Sequence, residues 1–271
     1  MSALATKASR IVIACGGTGG HFFPGMAVRQ ELVSRGNQVM LIASQKDVDR
    51  ENAKGLDDYR IEFLPAVAFL RGRLLAFTWG MLRALSLCVK WFFGWRPDIV
   101  LVMGGFTSVA PAIVGRMMGA RIYLHEANSI PGRANRLIAK WCHGIFVGFP
   151  STESFFPGRK VTVAGTPVRS QFCEALSNSP FHRFGLVPDA PILLVMGGSQ
   201  GARGINRLML NVVPLLCEKH PDLQFVHLAG RNECESLREM YRDHCGRFYL
   251  SEFCSDTSVL VRMASAVLSR A

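Results

Sequence analysis

The chain has 271 residues, of which 49% are hydrophobic and 19% charged, and its formal net charge is +11. This hydrophobic content excludes a disordered protein, and the length suffices for two domains of ordinary size. The positive charge favours anionic partners, but the basic residues are dispersed and no nucleic-acid-binding signature accompanies them, so we expect no nucleic-acid partner. The eight cysteines form no C-x-x-C pair, which argues against a metal site and is typical of a reducing compartment.

In the first half of the chain, short β-branched segments alternate with longer amphipathic ones. This alternation predicts an α/β fold in which helices connect parallel strands. Pro24 is placed in the opening turn of the first predicted helix, where its missing N–H is tolerated. Strands are predicted at residues 11–15, 39–43, 98–103, 121–125 and 144–147, and helices at 24–34, 74–92, 109–118 and 134–141.

A second series of the same kind follows residues 167–188, a polar stretch with turn residues. We therefore predict one domain at 1–168 and a second at 169–271. The second has at most four strands, fewer than the five or six of a doubly wound domain, so we expect it to be incomplete, with a longer native protein or a truncated product. Its predicted strands are residues 191–196, 223–229, 246–250 and 266–269.

Three glycine-rich loops each follow a predicted strand, at residues 16–21, 104–108 and 197–202. Glycine lets the backbone approach a ligand closely, and the helix after such a loop offers free N–H groups to a phosphate. The loops therefore predict an anion-binding cleft at the carboxyl ends of the strands. None is followed by the Lys-Ser/Thr of an ATP-binding P-loop, and Phe22 stands where the dinucleotide fingerprint needs its last glycine. A nicotinamide cofactor is thus only an alternative.

Four motifs occur in order at residues 16–25 (GGTGGHFFPG), 125–128 (HEAN), 165–169 (GTPVR) and 197–203 (GGSQGAR). Together they resemble the MurG family of glycosyltransferases, glycosyltransferase family 28. The resemblance implies the GT-B architecture, with two Rossmann-like domains that face a cleft, acceptor mainly in the first and nucleotide sugar in the second. It also implies an inverting transfer of GlcNAc from UDP-GlcNAc to a lipid-linked muramyl-peptide acceptor in peptidoglycan synthesis. No metal or cofactor is needed for this reaction.

Such a transfer needs a base for the acceptor hydroxyl and donors for the leaving diphosphate. His21, at the loop–helix junction, is the first candidate for the base, because histidine titrates near neutral pH. A helix cap or a hydrogen bond to phosphate is the competing interpretation. Glu126 is the rival base, with the alternatives of a helix cap or an ion pair to Arg133 or Arg136.

The first glycine loop and the segment after residue 125 supply further candidates for substrate binding. The resemblance places Thr18, Gly19 and Gly20 near the donor sugar and the acceptor phosphates. It also implies that Asn128 contacts the sugar nucleotide and that Glu126 lies with the acceptor.

The remaining substrate-binding candidates follow the junction or lie beyond it. The resemblance implies that Arg169 and Ser199 face the donor diphosphate, which a guanidinium and a helix-terminal hydroxyl both suit. A structural salt bridge is the alternative for Arg169. Gln200 and Asn206 are weaker candidates, because each side chain can instead satisfy backbone groups. Cys254 lies in a segment that, by resemblance, touches the uracil through main-chain atoms.

Residues 69–95 are dense in Leu, Phe and Trp, but basic residues interrupt them too often for a membrane-spanning helix. We expect a helix that lies in the headgroup region of an anionic membrane, since apolar residues too numerous for one core stripe are flanked by Arg71, Arg73, Arg83, Lys90 and Arg96. A buried helix of the first domain is the alternative. No secretory signal is recognised at residues 1–9, so we expect a peripheral protein on the cytoplasmic side of the inner membrane.

Two other functions fit part of the pattern. One is another GT-B nucleotide-sugar enzyme, an epimerase or a transferase without a lipid acceptor. The other is a truncated, non-catalytic, membrane-associated binding protein. Residues 269–271 match only the start of the family's next motif, whose later residues bind ribose and sugar hydroxyls, so we expect the activity of this chain alone to be uncertain.

Overall fold

The computed structural model describes residues 8–16, 19–46, 49–50, 60–65, 74–174, 180–197, 201–230, 233–254 and 256–270. The chain divides into two compact units, Met1–Arg169 (unit 1) and Ser170–Ala271 (unit 2). Each unit contains one parallel β-sheet with helical connections. The predicted α/β fold class, with two Rossmann-like parallel sheets, is therefore confirmed.

Unit 1 contains a seven-stranded sheet in the order β3-β2-β1-β4-β5-β6-β7. All neighbouring strands pair in parallel. The strands are β1 Arg10–Ala14, β2 Gln38–Ser44, β3 Ile61–Leu64, β4 Ile99–Val102, β5 Arg121–Glu126, β6 Gly144–Val147 and β7 Val161–Val163. The helices are α1 Gly19–Ser34, α2 Leu74–Trp95, α3 Val109–Met117 and α4 Arg133–Ala139, with short 3-10 helices at Phe106–Ser108 and Pro150–Phe155.

Both faces of this sheet are covered, because successive residues of a strand point to opposite sides. On β1, Val12 belongs to the core under α2, α3 and α4, whereas Ile11 and Ile13 belong to the core under α1. The central strands are accordingly continuous runs of buried apolar residues, which is why the sequence predicted them.

The sequence missed two strands and misplaced one helix start. β3 and β7 lie at the two edges of the sheet, have four and three residues and are partly exposed, so they lack a continuous apolar run. α1 begins at Gly19, so Pro24 lies inside the helix and not in its opening turn. Pro24 has no N–H, so the helix lacks one backbone hydrogen bond at this position. Because α1 begins at Gly19, His21 lies in its first turn.

Unit 2 contains a four-stranded parallel sheet in the order β10-β9-β8-β11. Its four strands correspond to the four predicted ones. They are β8 Ile192–Met196, β9 Gln224–Leu228, β10 Phe248–Ser251 and β11 Ala266–Ser269. The helices are α5 Arg203–Lys219, α6 Cys234–His244 and α7 Thr257–Met263, with short 3-10 helices at Ser170–Phe172 and Pro180–Phe184.

Candidate active site

Polar residues of unit 1 gather where β1, β4 and β5 end. These three strands are neighbours in the sheet, so the segments that follow them meet at one edge. His21 comes from the first turn of α1, Gly104 from the loop after β4, and Glu126 from the last position of β5. The structure thus brings together the two predicted base candidates.

The His21 ring packs against the second glycine loop. Gly104 has a φ of +117°, and a Cβ at this position would lie 2.9 Å from His21 Cε1 and 2.9 Å from Asn135 Nδ2. Gly105 has a φ of +78° and lies beside the other edge of the ring. Only glycine allows this backbone conformation and leaves room for the imidazole. The glycines of residues 104–105 therefore serve the placement of a side chain.

His21 has one ring nitrogen without a partner. Nδ1 is buried and makes no hydrogen bond of good geometry within the part of the chain that the structure describes. Burial lowers the pKa of His21 from its usual value, while the Glu126 carboxylate and the Met103 backbone act in the opposite direction. Burial therefore favours the neutral imidazole, and since the buried Nδ1 cannot reach a substrate, Nε2 is the nitrogen that can accept a proton from one.

Glu126 is fully buried and accepts four hydrogen bonds. Its Oε1 accepts the backbone N–H and the side-chain amide of Asn128, both at 2.9 Å. Its Oε2 accepts the Gly132 N–H at 3.3 Å and the Asn135 amide at 2.7 Å. Of the expected alternatives, a helix cap comes nearest, since Gly132 precedes α4. The carboxylate holds residues 128–135 in place and has little capacity left for a substrate proton.

Asn135 and His125 belong to this cluster, although the sequence did not single them out as site residues. Asn135 is buried on α4 and links the Glu126 carboxylate to the side of the His21 ring. His125 Nε2 lies 2.9 Å from the Gly165 carbonyl, which ties the end of β5 to the motif at 165–169. The available signal for Asn135 was a polar residue between Ala134 and Ile138 on the buried face of a helix.

Arg169 lies with the His21 helix. Its guanidinium stacks 4.8 Å above the Phe23 ring centroid, and partial burial lowers the pKa of the guanidinium. Asn128, in contrast, is exposed, and its side-chain amide is held by Glu126. Gly19 and Gly20 form the first two residues of α1, so they are helical and not part of a loop.

Three predicted binding residues, Thr18, Ser199 and Gln200, lie outside the described residues. The ends of the loop at 197–202 are described, and they fold closely together. A Cβ on Gly197 would lie 2.4 Å from the Ala202 nitrogen, and Gly201 has a φ of +75°. Cys254 has its side chain in the core under β8, and its carbonyl accepts the Thr257 hydroxyl at 2.9 Å. Arg169 and Cys254 belong to different units.

A second feature of unit 1 is a row of apolar side chains on the outer face of α2. We call it the α2 apolar strip. The spacing of its members matches one side of a helix. Its members are exposed to between 50% (Val89) and 86% (Leu75), and they are Leu75, Trp79, Leu82, Val89 and Phe93. The opposite side of α2 is buried through Ala84, Cys88 and Phe92, so α2 is not the fully buried helix considered as an alternative.

Basic residues accompany the α2 apolar strip. Arg83 and Lys90 are exposed on α2 itself, and Arg96 lies with Phe93 and Met118 around one surface depression. Arg71 and Arg73 lie outside the described residues. None of the helices that the structure describes has the length and apolar content to cross a bilayer.

The two parallel sheets, with glycine loops at the carboxyl ends of β1, β4 and β8, define an α/β protein of two Rossmann-like units. Residues 11–147 match the N-terminal domain of glycosyltransferase family 28, and residues 192–271 match its C-terminal domain. The chain therefore belongs to glycosyltransferase family 28, and the predicted family is confirmed.

Curated relatives extend along nearly the whole chain. A UDP-N-acetylglucosamine–N-acetylmuramyl-(pentapeptide) pyrophosphoryl-undecaprenol N-acetylglucosamine transferase of Geobacter metallireducens is 32% identical, over 97% of this chain and 72% of the relative. The Myxococcus xanthus protein of the same name is also 32% identical, over 97% of this chain and 68% of its own length.

Solved structures share the fold. The crystal structure of Acinetobacter baumannii MurG has a TM-score of 0.69 and 21% identity, over 97% of this chain and 74% of that one. The UDP-GlcNAc 2-epimerase from Neisseria meningitidis, solved with bound UDP-GlcNAc, also has a TM-score of 0.69, with 17% identity over 97% of this chain and 77% of that one. At these identities the likeness concerns the fold alone.

Proposed function

We propose that this chain is a hexosyltransferase that moves GlcNAc from UDP-GlcNAc to N-acetylmuramyl-(pentapeptide) pyrophosphoryl-undecaprenol, the lipid-linked precursor of peptidoglycan. The observation that carries the proposal is the 32% identity over 97% of the chain to transferases whose names state this reaction. The placement of His21 supports it chemically, because burial favours a neutral imidazole at the sheet edge where such folds bind ligands, and its Nε2 is not among the buried nitrogens.

In this proposal His21 is the general base. It removes the proton of the acceptor hydroxyl as the oxygen attacks the anomeric carbon and the bond from that carbon to UDP breaks. Burial favours the neutral ring, so the base is in its active form at pH 7. The packing against Gly104 and Gly105 fixes the ring before substrate binds, which lowers the entropic cost of the reaction.

Glu126 acts as a positioning residue and not as the base. Its four accepted hydrogen bonds support this assignment, because they hold Asn128 at the exposed end of the cluster and Asn135 beside His21. Asn128 is then available to the sugar nucleotide through its remaining polar atom. The diphosphate is bound by Arg169 and by the loop at 197–202, including Ser199 and Gln200. The donor sugar and the acceptor phosphates are contacted by Thr18, Gly19 and Gly20. The uracil is contacted by the main chain at Cys254.

The α2 apolar strip docks the protein on the cytoplasmic surface of the inner membrane. An exposed apolar row of this size on a soluble domain marks an interaction surface, and the adjoining basic residues favour anionic headgroups. The occupant follows from the acceptor, which carries an undecaprenyl chain and therefore resides in the bilayer. The net charge of +11 acts in the same direction.

The test is product analysis with labelled UDP-GlcNAc, in the presence and absence of vesicles that contain the lipid-linked acceptor. If the proposal holds, label appears in the lipid fraction, and UDP is released only when the acceptor is present. An epimerase of the same fold would instead convert the sugar to its C2 epimer without acceptor, and a non-catalytic protein would release no UDP. Either of these two results contradicts the proposal.

A further inference from the structure

A buried histidine in unit 2 has both ring nitrogens hydrogen bonded. His227, on β9, is 1% exposed. Its Nδ1 lies 3.1 Å from the Tyr241 hydroxyl, and its Nε2 lies 3.0 Å from Asn206 Oδ1. The Asn206 amide nitrogen donates to the Ala229 carbonyl at 2.8 Å and to Glu233 Oε2 at 2.7 Å. The chain of contacts therefore runs from α6 through β9 and α5 to the segment after β9.

The contacts determine where the protons lie. Because the Asn206 nitrogen faces two acceptors, its Oδ1 faces His227, and Nε2 of that ring must carry the proton. Nδ1 then accepts the hydrogen bond that the Tyr241 hydroxyl donates. The two atoms of the Asn206 amide, the two ring nitrogens of His227 and the Tyr241 hydroxyl each have a partner suited to them, so the network has one arrangement. Rotating the Asn206 amide would set two donors against each other.

This network ends at the glycine loop that precedes α5. The Ala229 carbonyl, which Asn206 holds, would lie 2.2 Å from a Cβ on Gly201. Asn206 itself is in the first turn of α5, and its N–H donates to the Ala202 carbonyl at 2.9 Å. Glu233, the other acceptor, is the residue before α6. The Asn206 side-chain amide thus links Ala229, after β9, and the Glu233 side chain, before α6, to the first turn of α5 beside Gly201 and Ala202.

We propose that His227, with Asn206 and Tyr241, positions Gly201 and Ala202, at the end of the glycine loop before α5, for the diphosphate of the sugar nucleotide. The inference rests on the proposed function, which assigns the diphosphate to this loop. An apolar residue at 227 would suit the surrounding core better, since Phe225 and Val226 are also buried, whereas a polar network in the interior costs desolvation. The network fixes the orientation of Asn206, which holds the Ala229 carbonyl against Gly201 and so constrains the backbone at Gly201 and Ala202.

The test compares UDP binding by calorimetry in the full chain and three variants. H227L removes both ring contacts and leaves Asn206 Oδ1 buried without a donor, so the Kd for UDP should rise about tenfold. H227Q restores one donor and one acceptor and should recover most of the affinity. Y241F keeps the bond between His227 and Asn206 and should change the Kd by less than about threefold. The KM for UDP-GlcNAc should follow the Kd, with kcat nearly unchanged.

A purely structural role would lower the melting temperature of H227L and leave the Kd for UDP at the wild-type value, which would overturn the inference. If H227L does not fold, N206D serves in its place. Asp keeps an acceptor for His227 but sets a carboxylate against Glu233 and the Ala229 carbonyl, so wild-type UDP binding by N206D would also overturn it. A wild-type chain that binds UDP but transfers no sugar contradicts the transferase proposal alone, and one that binds no UDP contradicts both.

Discussion

The two buried histidine clusters differ in how completely they are satisfied. In unit 2, both nitrogens of His227 have partners, and the cluster is closed. In unit 1, Nδ1 of His21 and Nδ1 of His125 are buried without a hydrogen bond among the described residues. An unsatisfied buried polar atom costs stability, so its presence at a sheet edge needs a reason. For His21 the proposed chemistry supplies one, because a ring that keeps Nε2 open to a substrate cannot also turn to find a partner for Nδ1.

The largest effect is expected from a substitution of His21, which has one of the unsatisfied nitrogens. H21Q should lower kcat by about 10²-fold to 10⁴-fold, the usual contribution of a general base. The Kd for UDP should stay within about twofold, since residues assigned to the diphosphate keep their places. Steady-state transfer kinetics and calorimetry measure the two quantities. The control is H220Q, which replaces an exposed histidine of unit 2 and should behave as wild type. An H21Q variant with normal kcat would remove His21 from the mechanism.

The next effect separates a positioning carboxylate from a base. E126Q replaces one carboxylate oxygen, an acceptor, by an NH₂ group, a donor. That NH₂ group must face the donors of either Asn128 or Gly132 and Asn135, so at least one of the four hydrogen bonds is lost. We expect a destabilisation of about 2 kcal/mol and a fall in kcat of about 10-fold to 100-fold, because misplacement of the site is costly.

Urea unfolding and the pH–rate profile of E126Q distinguish the two roles. A positioning role leaves the acid limb of kcat/KM in place, since His21 still titrates. Loss of that limb with unchanged stability would make Glu126 the base.

A third test concerns the surface and not the two clusters. W79E places a charge in the α2 apolar strip and should weaken binding to vesicles that contain anionic lipid by about tenfold or more, the equivalent of one large side chain kept in water. Sedimentation with vesicles measures the partition. L215E alters an exposed leucine on α5 and is the matched control. Equal partition of the two variants would place the docking surface elsewhere.

The last prediction concerns the pH dependence of stability and the closed cluster. Burial lowers the pKa of His227 to about 4, against 6.5 for the unfolded chain. As the pH falls, His227 is therefore protonated in the unfolded state before it is protonated in the folded state. The neutral, buried ring thus contributes its full share to the free energy of unfolding above pH 6.5, and this share is lost as the pH falls towards 4. The loss should reach roughly 3 kcal/mol, and H227Q should reduce it. Urea unfolding between pH 7.5 and 4.5 measures the slope. Identical slopes for the variant and wild type would mean that His227 does not control it.

The sequence predicted the central strands and the first cluster for the same reason. β1 and β4 are uninterrupted apolar runs, and the glycines that follow them mark the sheet edge where His21 and Glu126 come together. The edge strands β3 and β7 were not predicted, because Glu62 and Thr162 interrupt their short apolar patterns.

Of the second cluster, the sequence singled out only Asn206, as a weaker candidate, and it missed both the contacts of that cluster and the place of Asn135. His227 is one polar residue in a buried strand, and its partners Asn206 and Tyr241 are 21 and 14 residues away on two helices. Asn135 likewise reaches Glu126 from α4, nine residues further along the chain. Local patterns signal that a buried polar residue needs a partner, but the partner is defined only by the packing of helices on the sheet.

The proposed role of His21 is that of a general base in sugar transfer to a lipid acceptor. Its most direct test is a single-turnover reaction of the wild-type chain with labelled UDP-GlcNAc and acceptor-containing vesicles, repeated with H21Q. Label should enter the lipid fraction with the wild-type chain, and at least about 10²-fold more slowly with H21Q at equal UDP occupancy. Label that stays in the aqueous fraction with wild type, although UDP is bound, would contradict it.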